Sequence, residues 1–158
     1  TLAPCRARGF GVGAAVRAAG AGREFAGATA RQVRRLLDAG VPARSITVVG
    51  FSKGGFLALG VSAIVGSEEV GYAILAGCGS DPGWIDRMAP RIRGRFLSLL
   101  DRSDRLSPSC QPLFAEAELV DEKNEHVFDT GLGHGLFYRP REDWVDRVAG
   151  WARADGSQ

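Results

Sequence analysis

Few residues in this chain combine type and spacing in a way that suggests chemistry, and Ser52 leads them. It sits in Gly50-Phe51-Ser52-Lys53-Gly54-Gly55, a Gly-x-Ser-x-Gly pattern. A serine hydroxyl is a weak nucleophile until a base takes its proton, and that base needs a third group to orient it. The chain has two histidines. His126 falls beside Glu125 in a predicted strand, where a structural or edge role is expected. His134 lies in the glycine-rich loop Thr130-Gly-Leu-Gly-His134-Gly, which has no local need for an imidazole, and is the candidate base. The acid comes from Asp101-Arg-Ser-Asp104, where either aspartate could orient the histidine, cap a turn or pair with Arg102 or Arg105. Asp81, near a turn proline, and Asp129, at a strand end, are weaker candidates. A Gly-rich turn with an idle serine is the alternative reading of Ser52. A phosphate-binding loop fits worse, because Lys53 precedes the glycines instead of following them.

These groups need a scaffold that gathers loops at one edge. Residues 46–49 (Ile-Thr-Val-Val) read as a buried strand, and the apolar run from Gly54 to Val65 reads as a helix. Between them the chain must turn sharply, with Ser52 at the turn. The helix N-terminus then directs N–H groups, that of Lys53 among them, at an oxyanion forming on a substrate of Ser52. A helix apolar on every side is expected to be covered on every side. Upstream, residues 10–16 suggest a glycine-softened strand. Residues 23–39 suggest an amphipathic helix with Phe25, Val33, Leu36 and Leu37 on its apolar side, ended by Gly40 and Pro42. Downstream, strands are predicted at 70–76, 96–100 and 125–129. Helical segments are predicted at 84–88, within 108–119, and from Pro140 to about Arg153, with Trp144, Val145, Val148 and Trp151 facing inward. The alternation predicts one α/β domain over residues 1–158, a mostly parallel sheet of about five strands with helices on both faces. His134 and both aspartates follow predicted strands, where a parallel sheet collects functional groups.

Composition narrows the function. At 158 residues, 45% hydrophobic and 24% charged, the chain is long enough for a core. A net charge of +2 with dispersed arginines argues against nucleic acid as a partner, and no run is long enough to span a membrane. Cys5, Cys78 and Cys110 have no metal-ligand spacing and form no disulfide framework, though one bridge could form. No metal or cofactor is expected. The chain starts at Thr1, so an upstream segment is expected to have been removed, and the compartment stays open.

The order Ser52, Asp104, His134, together with the Gly50–Gly55 turn, Asp101-Arg-Ser-Asp104-Arg-Leu106-Ser-Pro108, and Gly131-Leu-Gly-His134-Gly before a closing helix, resembles the α/β-hydrolase superfamily from about Gly9 onward. The flavour is similar to that of the small, lidless serine esterases akin to dienelactone hydrolase, although dienelactone hydrolases proper carry cysteine where this chain has Ser52. The resemblance implies that Asp104, followed by the Leu106-Ser-Pro108 step, is the acid. It further implies hydrolysis of small acyl esters through an acyl-enzyme, with the Lys53 N–H as oxyanion donor. The family's sheet is larger than the one expected here, so the resemblance also implies that the N-terminal third is missing, with the strand and loop that supply a second donor. The expected outcomes are impaired activity, or a catalytically weak or inactive binding module. The open sheet edge is expected to be covered by residues 10–16 or by a second copy of the chain.

Overall fold

The computed structural model describes Gly11 and residues 22–153, so the strand predicted at 10–16, apart from Gly11, and Cys5 lie outside the described residues. In chain order the elements are α1 (Gly22–Asp38), a 3-10 turn (Ala43–Ser45), β1 (Thr47–Phe51), α2 (Lys53–Val65), β2 (Gly71–Leu75) and α3 (Pro82–Met88). Then follow β3 (Arg95–Asp101), α4 (Gln111–Glu116), β4 (Lys123–Phe128), a second 3-10 turn (Gly133–Phe137) and α5 (Glu142–Arg153). Among the described residues the sheet has four strands, all parallel, in the order β1-β2-β3-β4.

The central strands β2 and β3 are buried along their whole length, as expected of parallel strands covered on both faces. The outer strands β1 and β4 keep exposed positions, among them Val49 and Val127. One apolar cluster joins α1, α2, α3 and α4 to the sheet through residues such as Val33, Leu59, Ile74, Ile85, Phe96 and Phe114. A smaller cluster joins the opposite sheet face to the second 3-10 turn and α5 through Leu75, Leu99, Leu136, Phe137 and Val148. Each fully buried aliphatic or aromatic side chain contributes roughly 1.5–3 kcal/mol.

Two helices differ from their sequence-predicted faces. In α1 the buried residues are Ala26, Ala30 and Val33, while Leu36 is exposed. Small side chains let α1 approach α2 closely, where a Cβ on Gly60 would sit 3.7 Å from that of Ala26, and Leu36 lies off that contact line. In α2 the inward residues Gly55, Ala58, Leu59, Val61 and Ser62 are buried, but Phe56 and Ile64 are exposed, so the helix is not covered on every side. It packs mainly on the sheet and α1, with Phe56 stacked on Trp84 of α3, and the rest of that flank stays open.

Two polar devices brace the sheet away from its carboxyl edge. Arg95, 2% exposed at the start of β3, donates from Nε to Glu122 at 2.8 Å and lies over the Trp151 ring of α5 at 5.1 Å. Glu125 on β4 accepts from Ser98 Oγ (2.8 Å) and from the Cys110 N–H (2.7 Å), which fastens the start of α4. Cys110 also forms a disulfide with Cys78, in the loop after β2, with Cα atoms 5.3 Å apart.

Candidate active site

The turn between β1 and α2 has Ser52 at φ 52° and ψ −121°, a left-handed conformation rare for a residue with a Cβ. Hydrogen bonds hold it there. The Ser52 N–H donates to Leu75 O at 2.8 Å, and Ser52 O accepts from the Phe56 N–H at 3.1 Å. Close approach requires glycine on both sides. A Cβ on Gly50 would lie 2.2 Å from Gly54 O, and one on Gly77, in the loop after β2, would lie 2.7 Å from Ser52 O. The adjoining Ala76 is the second non-glycine residue with positive φ among the described residues, at 45°. Backbone strain therefore concentrates at this one spot, where surrounding packing maintains it.

Ser52 Oγ lies 2.9 Å from His134 Nε2, and His134 Nδ1 lies 2.8 Å from Asp104 Oδ2. A carboxylate only accepts, so Nδ1–H donates to Asp104, and Nε2 is left to accept the Ser52 hydroxyl proton. The Asp104 side chain is fully buried and that of His134 nearly so. The other Asp104 oxygen accepts from the N–H groups of Leu106 (2.8 Å) and Ser107 (3.2 Å), which fixes the carboxylate plane. The structure thus brings together Ser52, His134 and Asp104. Lys53 opens α2, where the first N–H groups have no acceptor within the helix and the positive end of the dipole points outward.

The remaining candidates do other work. Asp101 is fully buried, and its Oδ1 accepts from Ser103 N (2.9 Å), Ser103 Oγ (2.6 Å) and Gly133 N (3.2 Å). Its Oδ2 accepts from Thr130 N (2.9 Å) and Thr130 Oγ1 (2.6 Å). It therefore ties the loop carrying Asp104 to the loop carrying His134. Burial alone would raise its pKa, but the hydrogen bonds from Ser103 and Thr130 outweigh that and hold the carboxyl well below its ordinary range. Asp81 caps α3, accepting from the Trp84 N–H at 2.7 Å, and Asp129 pairs with Arg102 at the surface. His126 stays on β4, edge-on to Phe128. Burial, and secondarily Arg147, lowers its pKa.

Three features escaped the sequence reading. The Asp101 brace had a partial signal, since an aspartate at a strand end with serine two residues later is an Asx-turn pattern. The Cys78–Cys110 bridge had none, because three cysteines leave the pairing open. Nor did any pattern announce that the rings of Phe51 and Tyr138 lie 4.9 and 6.3 Å from that of His134. Among the described residues no cluster of histidine, cysteine, aspartate and glutamate could hold a metal ion, and no helix is long and apolar enough to cross a membrane.

No family model matches the chain, and no curated protein matches it in sequence. Solved structures do match in shape. SOBER1 of Arabidopsis thaliana aligns with TM-score 0.64 and 18% identity over 91% of this chain and 68% of its own. A candidate dienelactone hydrolase of Klebsiella pneumoniae subsp. pneumoniae MGH 78578 aligns with TM-score 0.59 and 14% identity, over 85% of this chain and 62% of its own. Acetyl xylan esterase 1 of Thermoanaerobacterium sp. JW/SL YS485 aligns with TM-score 0.55 and 18% identity, over 79% of this chain and 50% of its own. The chain thus spans half to about two thirds of the length of these structures. The fold is the α/β-hydrolase fold.

Proposed function

We propose that this chain is a serine hydrolase that cleaves small acyl esters through an acyl-enzyme. The observation that carries the reading is the continuous relay from Ser52 through His134 to Asp104, which begins at a strained serine on a helix N-terminus. In the first half-reaction the Ser52 oxygen bonds to the ester carbonyl carbon as its proton moves to His134 Nε2. The charge developing on the carbonyl oxygen faces the Lys53 N–H and the α2 dipole. The carbon–alkoxy bond then breaks, and His134 returns the proton to the departing alcohol. Water, deprotonated by the same histidine, releases the acid and restores Ser52. Asp104 holds the tautomer and stabilises the imidazolium formed on the way. The hydrolases and the esterase that share the fold support the reaction class, and an oxygen nucleophile with one shuttling base suits esters.

The test is covalent labelling. A fluorophosphonate probe is expected to modify Ser52, and Ser52→Ala to abolish both labelling and p-nitrophenyl acetate hydrolysis. The reading to be separated from it is a hydrolase-fold binding module with weak or no turnover. Absence of labelling in the unmodified chain decides for that module.

A further inference from the structure

Building on the hydrolase reading, we propose that Tyr138, backed by Phe51, forms an aromatic wall that selects the alcohol half of the ester. Tyr138 follows the 3-10 turn that carries His134, and it is 69% exposed. Leaving a large ring in water forfeits the burial that an aromatic side chain normally gains, so packing alone does not account for its position. Its ring stands edge-on to His134 (6.3 Å between centroids, 86°) and edge-on to Phe51 (5.8 Å, 78°). Phe51 immediately precedes Ser52, and its ring is 4.9 Å from His134. Two aromatic rings therefore flank the imidazole.

The chemistry says which half of the substrate meets them. To receive a proton, the departing oxygen must come within hydrogen-bond distance of His134 Nε2. The carbonyl oxygen instead turns toward the N–H donors at the start of α2, that of Lys53 among them. The group attached to the departing oxygen consequently extends past His134, against Tyr138. Leu132 and Leu106, two residues along the chain from His134 and Asp104, add exposed apolar side chains to these loops, at 48% and 75% exposure. An apolar, ring-lined surface at this point favours esters of aromatic alcohols over esters of small aliphatic ones, through offset or edge-on ring contacts.

Phenyl acetate and ethyl acetate test the assignment, because they share the acetyl-enzyme and differ only in the alcohol. In Tyr138→Ala, kcat/KM for phenyl acetate should fall about tenfold. For ethyl acetate it should fall no more than about twofold. Tyr138→Phe, which keeps the ring, should hold phenyl acetate within about twofold of the unmodified chain. Equal losses on both esters, or none, would overturn the assignment. A small alkyl fluorophosphonate, whose departing fluoride is too small to reach the ring, should label Ser52 in Tyr138→Ala at the unmodified rate; slower labelling would mean that Tyr138 merely supports His134, and would also overturn it. Labelling of the unmodified chain without discrimination between the esters overturns this inference alone. Absence of labelling overturns it together with the hydrolase reading.

Discussion

The end of β3 and the turn just beyond it each carry one buried aspartate, and the two behave differently. Asp101, the last residue of the strand, spends both oxygens on five donors from the Ser103, Thr130 and Gly133 positions. Asp104, one turn later, commits one oxygen to its own loop and leaves the other to His134. A third acidic residue, Asp129, bridges the same pair of loops through Arg102, but in water, with both side chains at least 70% exposed. The same functional group thus serves as brace, as partner to the histidine, and as surface charge, according to where the backbone stops. What separates them is burial and the number of donors in reach, because a carboxylate out of water must be fully paired.

Breaking the histidine partner should have the largest effect on activity. Asp104→Asn is expected to lower p-nitrophenyl acetate turnover about 10⁴-fold by favouring the wrong tautomer of His134. The thermal melting temperature should stay within a few degrees. A loss of stability as large as the loss of activity would erase the contrast with Asp101.

Breaking the brace should give a mixed phenotype. In Asp101→Asn an amide N–H₂ faces donors that previously met an oxygen, which destabilises the fold by about 2–4 kcal/mol. The two loops then lose their register, and turnover falls by about 10²-fold, the scale expected when reacting groups shift by an ångström. The brace also has a pH signature. The Asp101 carboxyl is held below its unfolded value of about 3.9, so its stabilisation is fully present above that pH and is lost as pH falls further below it. Urea midpoints should therefore drop between pH 6 and pH 3 by more in the unmodified chain than in Asp101→Asn. Equal drops would show that other carboxyls set the acid sensitivity.

The exposed bridge should matter least. Arg102→Ala is expected to change stability by less than about 0.5 kcal/mol, because solvent screens the pair, and to leave ester turnover within about twofold. A loss comparable to that of Asp101→Asn would mean that this surface pair, and not the buried carboxylate, holds the loops together.

Much of the architecture could be read from local pattern. The unalternating runs that became β2 and β3, the apolar run of α2 and the Gly50–Gly55 turn carry their signals within a few residues, because strand burial, helix periodicity and glycine-dependent turns are local. The chemical identities of Ser52, His134 and the Asp101–Asp104 pair were legible for the same reason. Helix faces were less so. The contact face of α1 runs through Ala26 and Ala30, and its depth depends on how closely α2 approaches, which no single segment encodes.

Residue types and short-range pattern therefore determined the α/β class, the sharp turn at Ser52 and the short set of groups able to do chemistry. Only the tertiary structure decided how those groups divide the work. Asp101 and Asp104 are three residues apart and each has local donors, yet the partners that give them different work, Thr130 and Gly133 for one and His134 for the other, come from a loop about thirty residues away. Ser52 and His134, 82 residues apart, meet only because a parallel sheet gathers its strand ends at one edge. The Cys78–Cys110 bridge and the rings beside His134 depend on the same long-range assembly. Hydrogen bonds and ring contacts act over a few ångströms, so residues far apart in the chain acquire them only once the fold has brought them together.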